Sequence, residues 1–310
     1  MRYLVTGGCG FIGSHLVDAL IKQGHDVDIL DNLSTGKREN AHKQANVIVG
    51  DICDEILVAS LVRNADGCFH LAAVASVQKS VEAWLSTHKT NASGTVTIFD
   101  AIAHQKTQIP VVYASSAAVY GDNPKMPLTE DTPVNPITAY GADKYSCEVN
   151  GKVAYLVHGI PTLGLRFFNV YGPRQDPKSP YSGVISIFSN HIADNKPIKV
   201  FGDGEQMRDF IYVQDVVETM MRGMSQLSSR KGAWVLNVCT GQGTTLNRLI
   251  HTLEEVAGQR AISEYCPSRA GDIRVSLGDN HQLQRFLDHR PSIELHQGLS
   301  SLILELKGHV

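Results

Sequence analysis

No apolar run in these 310 residues approaches the length of about 18 that a membrane-spanning helix needs. The chain opens directly on a strand-like pattern without a cleavable apolar leader, so the cytoplasm is the expected setting and no membrane contact is expected. An excess of one charge is also missing. The 28 Lys and Arg against 31 Asp and Glu leave a formal charge of −3 and a pI near 6.5. Such a balance supplies no basic field for nucleic acid or anionic lipid, and positive charge that matters to a small anionic ligand must be local. The six cysteines, at 9, 53, 68, 147, 239 and 266, never form C-x-x-C, which argues against a disulfide framework or a zinc knuckle. None of the 13 histidines pairs as H-x-x-x-H, so no metal is expected. There is no solenoid-period repeat and no low-complexity tract.

What is present is an alternation. Strand-like runs at Tyr3–Thr6, Val27–Leu30, Val47–Val49, Cys68–Leu71, Val111–Ala114 and Thr162–Phe167 are separated by helix-like stretches such as Phe11–Gln23, Asn91–Gln105 and Ala139–His158. That order predicts an α/β fold, a parallel sheet covered on both faces. After Asn169 the character changes, with three prolines between Tyr171 and Pro180. A helix over Val184–Asp194, a strand at Lys199–Phe201 and a G-D-G turn then predict a smaller second lobe. Asp215–Met224 and Trp234–Cys239 read as a helix and strand that rejoin the first sheet, and Thr244–Ala257 and Asp279–Leu287 as later helices. The expected division is 1–169 with about 212–240 for one lobe, and 170–211 with 241–310 for the other.

Thr6 to Leu16 reads T-G-G-C-G-F-I-G-S-H-L, directly after the first strand and opening the first helix. Glycines at 7, 8, 10 and 13 permit a tight turn and a close approach of backbone to a pyrophosphate at a helix N-terminus, where unpaired N–H groups attract anions. Asp31 ends the second strand, 18 residues past Gly13, where a carboxylate can accept ribose hydroxyls. It would repel a ribose phosphate, so NAD is expected over NADP.

A second pattern is A-Y-G-A-D-K, Ala139–Lys144. On a helix Tyr140 and Lys144 lie one above the other. An ammonium held near a phenol favours the phenolate, which would make the pair a general base. Taken alone, the spacing far more often marks an ordinary helix with a buried Tyr and a solvated Lys. Ser116 closes the fifth strand run, at the edge where open parallel sheets bind ligands.

Together these motifs resemble the extended short-chain dehydrogenase/reductase superfamily, and within it the nucleotide-sugar epimerases of the UDP-glucose 4-epimerase type. The further motifs that carry the resemblance are D-N-L-S-T-G-K, G-D-I, H-L-A-A, N-A-S-G-T, S-S-A-A-V-Y-G, R-F-F-N-V-Y-G-P-R, G-D-G-E-Q-M-R-D-F-I-Y-V-Q-D-V and S-R-A-G-D, in order along nearly the whole chain. The resemblance implies a Rossmann-type doubly wound parallel sheet with a smaller C-terminal substrate lobe, bound NAD, a UDP-sugar substrate, and a homodimer packed through the helices of Asn91 and Tyr140. It implies that NAD is held by Gly7, Gly10, Phe11, Ile12, Gly13, Asp31, Asn32, Ser34, Thr35, Gly36, Asp51, Ile52, Leu71, Ala72, Ala73, Asn91, Tyr140, Lys144 and Phe168. The UDP-sugar would meet Ser116, Asn169, Gly183, Val184, Val200, Phe201, Arg208, Arg269, Asp272 and Ser276. Val200 and Phe201 resemble a uracil shelf, Arg208 and Arg269 diphosphate clamps, and Asp272 a ribose acceptor. Guanidinium forks suit phosphate oxygens. Ala75 departs from the pattern, since many such epimerases place a lysine near the cofactor there.

The implied reaction is redox neutral. Tyr140 takes the proton of the sugar C4 hydroxyl as hydride leaves C4, Lys144 tunes the tyrosine, and Ser116 orders the proton; the 4-keto sugar turns over and is reduced on its other face. Dehydratases and decarboxylases of this type carry acidic residues where this chain has Ala117 and Ala118, and methyl groups cannot move protons. A catalytically silent NAD- or UDP-sugar-binding protein on the same fold would not need Ser116, Tyr140 and Lys144 together. Ser276 stands where epimerases confined to unacetylated sugars carry tyrosine, leaving room for a 2-acetamido group beside Gly183. Asp176 follows G-P-R-Q where glucuronate epimerases tend to place arginine, which disfavours an acidic sugar.

Overall fold

The structure, a computed structural model, describes residues 1–177, 183–268 and 273–308. Its first part runs β1 (Arg2–Thr6), α1 (Phe11–Lys22), β2 (Asp26–Asp31), β3 (Asn46–Val49), α2 (Glu55–Val62), β4 (Gly67–His70), α3 (Val77–Glu82), α4 (Trp84–His88), α5 (Gly94–Ala103), β5 (Val111–Ser116), α6 (Ala139–His158) and β6 (Thr162–Phe167). The second runs β7 (Asn169–Tyr171), α7 (Val184–Ala193), β8 (Ile198–Phe201), β9 (Met207–Tyr212), α8 (Val213–Ser229), β10 (Ala233–Val238), β11 (Gly243–Thr245), α9 (Leu246–Ala257), β12 (Ser263–Cys266), β13 (Val275–Ser276), α10 (His281–Leu287) and α11 (Leu295–Gly308).

Seven parallel strands form the main sheet in the order β10-β6-β5-β4-β1-β2-β3. Alternation along each strand sends side chains to two cores. Tyr3, Val5, Ile29, Phe69 and Val112 meet α1 and α8 on one face, whereas Leu4, Leu30, Cys68, Val111 and Tyr113 meet α2, α5 and α6 on the other. This is the doubly wound arrangement, with the direction of winding reversing between β1 and β4, where a crevice opens at the C-terminal strand ends. The rest of the chain builds smaller sheets. β9 is flanked by β11 and β13 and also pairs with β7, and β8 pairs with β12.

Several elements depart from the expected pattern. The helix foreseen from Asn91 starts earlier, at α4, and passes through a π-turn at Lys89–Ser93 before α5. An inserted residue of that kind re-aims side chains locally, and here it carries Asn91. The motif M-R-D-F-I-Y is itself a strand, β9, in which Asp209, Phe210, Ile211 and Tyr212 are all buried, so no alternation of polar and apolar residues announces it. The polar segment Ser263–Cys266 forms β12 because it pairs with β8, a tertiary contact that local pattern does not announce.

Candidate active site

After Thr6 the chain turns through Gly7 at φ +71, where an added Cβ would lie 2.8 Å from the Ala72 nitrogen. Only glycine lets this turn press so closely on the chain leaving β4. α1 then starts at Gly10 with no side-chain cap and no acidic residue in its first turn, so its N–H groups and positive dipole end face the crevice. Phe11, Ile12 and Gly13 form that first turn. Asp31 is buried at the end of β2 and accepts the N–H groups of Cys9 and Leu33, each at 2.9 Å. Two amide donors anchor the carboxylate and leave lone pairs for a ribose. Burial and the adjacent Asp31 push the Cys9 thiol up to about 11, so it stays protonated. Asn32, Ser34 and Thr35 are exposed at the rim, with Gly36 half-buried among them. Asp51 caps its own turn through Cys53 N–H at 2.8 Å.

The opposite wall is organised by a buried chain of hydrogen bonds. Thr6 Oγ1 accepts the N–H groups of Leu71 and Ala72, so its own proton goes to His70 Nδ1 at 2.7 Å. The imidazole proton therefore sits on Nε2 and is donated to Thr95 Oγ1 at 3.0 Å, which in turn donates to the Asn91 carbonyl. Burial first, and the Lys144 charge second, hold His70 down at about 3, so the ring is neutral. Asn91 itself is buried, and its amide grips both polar groups of Val74. Its side chain braces the Leu71–Val74 loop instead of facing the groove. Ile52 packs into the core, leaving its backbone as the part that can meet a ligand, and Phe168 is likewise buried, with Tyr120 and Cys239.

Ser116, Tyr140 and Lys144 converge from two elements. Ser116 ends β5 and its Oγ accepts Ala118 N–H at 3.1 Å, capping a short turn at Ala117–Tyr120. Thr138 caps α6 through Gly141 N–H, and a Cβ on Gly141 would lie 2.6 Å from the Ala118 carbonyl oxygen. Glycine at 141 thus allows α6 to close on the turn that follows Ser116. The Tyr140 N–H donates to Ser80 Oγ at 3.1 Å. Lys144, 4% exposed, donates from Nζ to the Ala114 carbonyl at 2.9 Å and lies 5.9 Å from the Tyr140 ring centre. The pair seen in the sequence is a pair in space.

On the second lobe, Val200 is completely buried in β8, so the expected shelf loses its side chain: strand alternation turns Val200 inward and Phe201 toward the surface. A cavity of about 400 Å³ lies beside Phe201, Gly202, Gln206, Ser268 and Arg274. Arg208 sits on β9, and its register partner on β13 is Ser276. Asn169 Nδ2 donates to the Asp209 carbonyl at 3.1 Å. Gly183 caps α7, which Val184 opens. Arg269 and Asp272 lie outside the described residues. A second cavity, about 270 Å³ beside Tyr3, His25, Phe69 and Met224, opens near the N-terminal ends of β1 and β4, away from the crevice.

The model of the NAD dependent epimerase/dehydratase family matches residues 3–239. The chain belongs to this family. It is an enzyme and its cofactor is NAD. A UDP-glucose 4-epimerase of Mycolicibacterium smegmatis is 36% identical over 309 residues, covering 98% of this chain and 97% of that protein. The UDP-glucose 4-epimerase of Thermotoga maritima, solved with UDP-glucose, superposes with a TM-score of 0.95 at 36% identity, covering 100% of this chain and 99% of that one. A UDP-N-acetylglucosamine 4-epimerase of Methanobrevibacter ruminantium M1, solved with UDP-N-acetylmuramic acid, gives 0.93 at 36% identity, with the same coverage.

Sequence reasoning passed over several residues that shape this family's crevice here. Ser80 is one; only the folded chain brings it to Tyr140. His70 stood within H-L-A-A, yet isolated histidines gave no reason to single it out. Glu148 and Arg166 had a readable signal. Arg166 interrupts an otherwise apolar strand, T-L-G-L-R-F, and a charge inside a two-sided core needs a partner.

Proposed function

We propose that the chain catalyses 4-epimerisation of UDP-hexoses, accepting UDP-N-acetylglucosamine and UDP-N-acetylgalactosamine at least as well as the unacetylated pair. The observation that carries the sugar preference is the register of Ser276 opposite Arg208, which puts a small side chain beside a candidate diphosphate ligand. A hydroxymethyl group there takes little volume, as does Gly183 at the head of α7. The similarity to an epimerase of acetylated sugars supports the same reading. The anionic side chain of Asp176 disfavours a glucuronate.

Reversible hydride acceptance at the sugar C4 is the chemistry that bound NAD supplies. Gly7, the uncapped start of α1 and Asp31 fit its pyrophosphate and adenosine ribose. Tyr140 Oη takes the C4 hydroxyl proton and later returns it, while Lys144 keeps positive charge beside the phenol and Ser116 Oγ orders the hydroxyl. Arg208 and Phe201, with Arg269 and Asp272, hold the nucleotide, so the ring is free to turn and present its other face. We assign NAD binding to residues 1–169 with about 212–240, and the UDP-sugar to 170–211 with 241–310. A second copy is assigned to the face of α3, α4 and α6, where Val81, Trp84, Leu85, Tyr145, Val149, Val153 and Leu156 are exposed, an apolar stripe that a monomer would leave in water. Six unpaired cysteines agree with a reducing cytoplasm.

The test is kcat/KM on both sugar pairs in the wild type and in Ser276→Tyr. The acetylated activity should fall by about 100-fold or more, with the unacetylated activity within about threefold. A wild type inactive on acetylated sugars, or equal losses on both pairs, refutes the reading.

A further inference from the structure

Behind Ser116 and Tyr140 lies a group of buried polar side chains that the reaction does not touch. Glu148, one helical turn beyond Lys144 on α6, is 6% exposed, and Arg166 on β6 is 4% exposed. Arg166 Nε and Nη2 fork onto the two Glu148 oxygens at 2.8 and 2.7 Å. Ser115 Oγ donates to the same carboxylate at 2.5 Å, and Ser115 and Arg166 are register partners across β5 and β6. Arg166 Nη1 also donates to Tyr120 Oη at 2.8 Å, and Tyr120 donates to Asn237 Oδ1 on β10 at 2.6 Å.

Burying two charges costs about as much as their attraction returns, so stability alone is a weak reason for such a pair. Its geometry suggests another. Along β5, the Ala114 carbonyl accepts from Lys144, the Ser115 hydroxyl donates to Glu148, and Ser116 is the reacting end. Along α6, Tyr140, Lys144 and Glu148 follow at successive turns. Helix and strand are joined by two rungs, Lys144–Ala114 and Glu148–Ser115, and the second is locked by Arg166. We propose that Glu148 and Arg166 are positioning residues that fix the slide of α6 along β5, and with it the separation of the Ser116 and Tyr140 hydroxyls. Displacements of about 1 Å cost such a constellation about 100-fold in rate. The inference rests on the roles proposed for Ser116 and Tyr140.

The groups that surround the pair are Tyr113 and Ser115 from β5, Lys144 and Cys147 from α6, Tyr120 from the turn after β5, Glu130 from the loop that follows it, and Asn237 from β10. Glu148→Gln removes an anion and leaves the Arg166 cation near the base; Arg166→Met does the reverse. The acidic limb of the kcat–pH profile should therefore move to lower pH in Glu148→Gln and to higher pH in Arg166→Met, each by roughly half a unit to one unit. With UDP-galactose, kcat should fall about 10- to 100-fold in both, with KM within about threefold. Arg166→Lys keeps the charge but loses the fork, so its limb should stay in place while kcat falls. The double variant Glu148→Leu/Arg166→Met, an apolar pair, separates positioning from stability: Tm should recover and kcat should not. If kcat recovers with Tm, or the two limbs do not move apart, the proposal is overturned. A wild type silent on every UDP-hexose would overturn this inference and the proposed function together, whereas an active wild type with unaltered variants overturns this one alone.

Discussion

Lowering the pH should destabilise the protein through His70 in particular. Thr6 Oγ1 already accepts two amide protons and gives its own to Nδ1. An imidazolium would put a proton on Nδ1, facing that hydroxyl proton, in a fully buried place beside Lys144. The native ring is therefore held down at about 3, against an ordinary value of 6.5. The unfolded chain takes up this proton as pH falls below about 6.5 and the native chain does not, so stability drops progressively between about pH 6.5 and 3. Between pH 7 and pH 5 the linkage amounts to about 2 kcal/mol. Denaturant titrations at both pH values, on the wild type and on His70→Gln, isolate it. Glutamine can still reach Thr6 or Thr95 but cannot titrate, so its loss of stability over this interval should be smaller by about 2 kcal/mol. Equal losses in the two proteins would mean that the native imidazole can take a proton, and the hydrogen-bond chain as described would be wrong.

Tyr140→Phe should lower kcat by about 100-fold or more with little change in UDP affinity, because it removes a proton acceptor and not a diphosphate contact; Ser116→Ala should cost less. Near-normal turnover in Tyr140→Phe would exclude it as the base. Placing charge in the exposed stripe with Trp84→Asp and Leu85→Asp should shift sedimentation from dimer to monomer with secondary structure retained. A wild type that sediments as a monomer at micromolar concentration would remove the second copy from that face.

Local signals carried most of the architecture. The strands of the main sheet are short apolar runs followed by amphipathic helices, and the glycines of the first turn, Asp31 and the Tyr140–Lys144 spacing all lie within single segments. What could not be read is what folding assembles from a distance. Ser80 lies 60 residues before Tyr140, and Glu148 lies 33 residues past Ser115. Asn91 was legible as part of a motif, but its work on Val74 depends on a π-turn that no periodicity announces. Val200 shows the limit in the other direction. Resemblance gave it a ligand, whereas strand alternation gives its side chain to the core.

The pairing of β10 with β6 has a consequence for how this chain is made. Arg166 and its strand are finished about 70 residues before their neighbour Asn237 is synthesised. Until then β6 is an open, mostly apolar edge, and Tyr120 lacks its acceptor. Folding of the main sheet therefore waits for residues 170–211 and then α8 and β10 to leave the ribosome, and the interval is one in which an exposed strand can recruit the wrong partner. The same interleaving forbids a modular exchange. A cut after residue 169 does not free the seven-stranded sheet as a unit, because its edge strand β10 lies beyond residues 170–211.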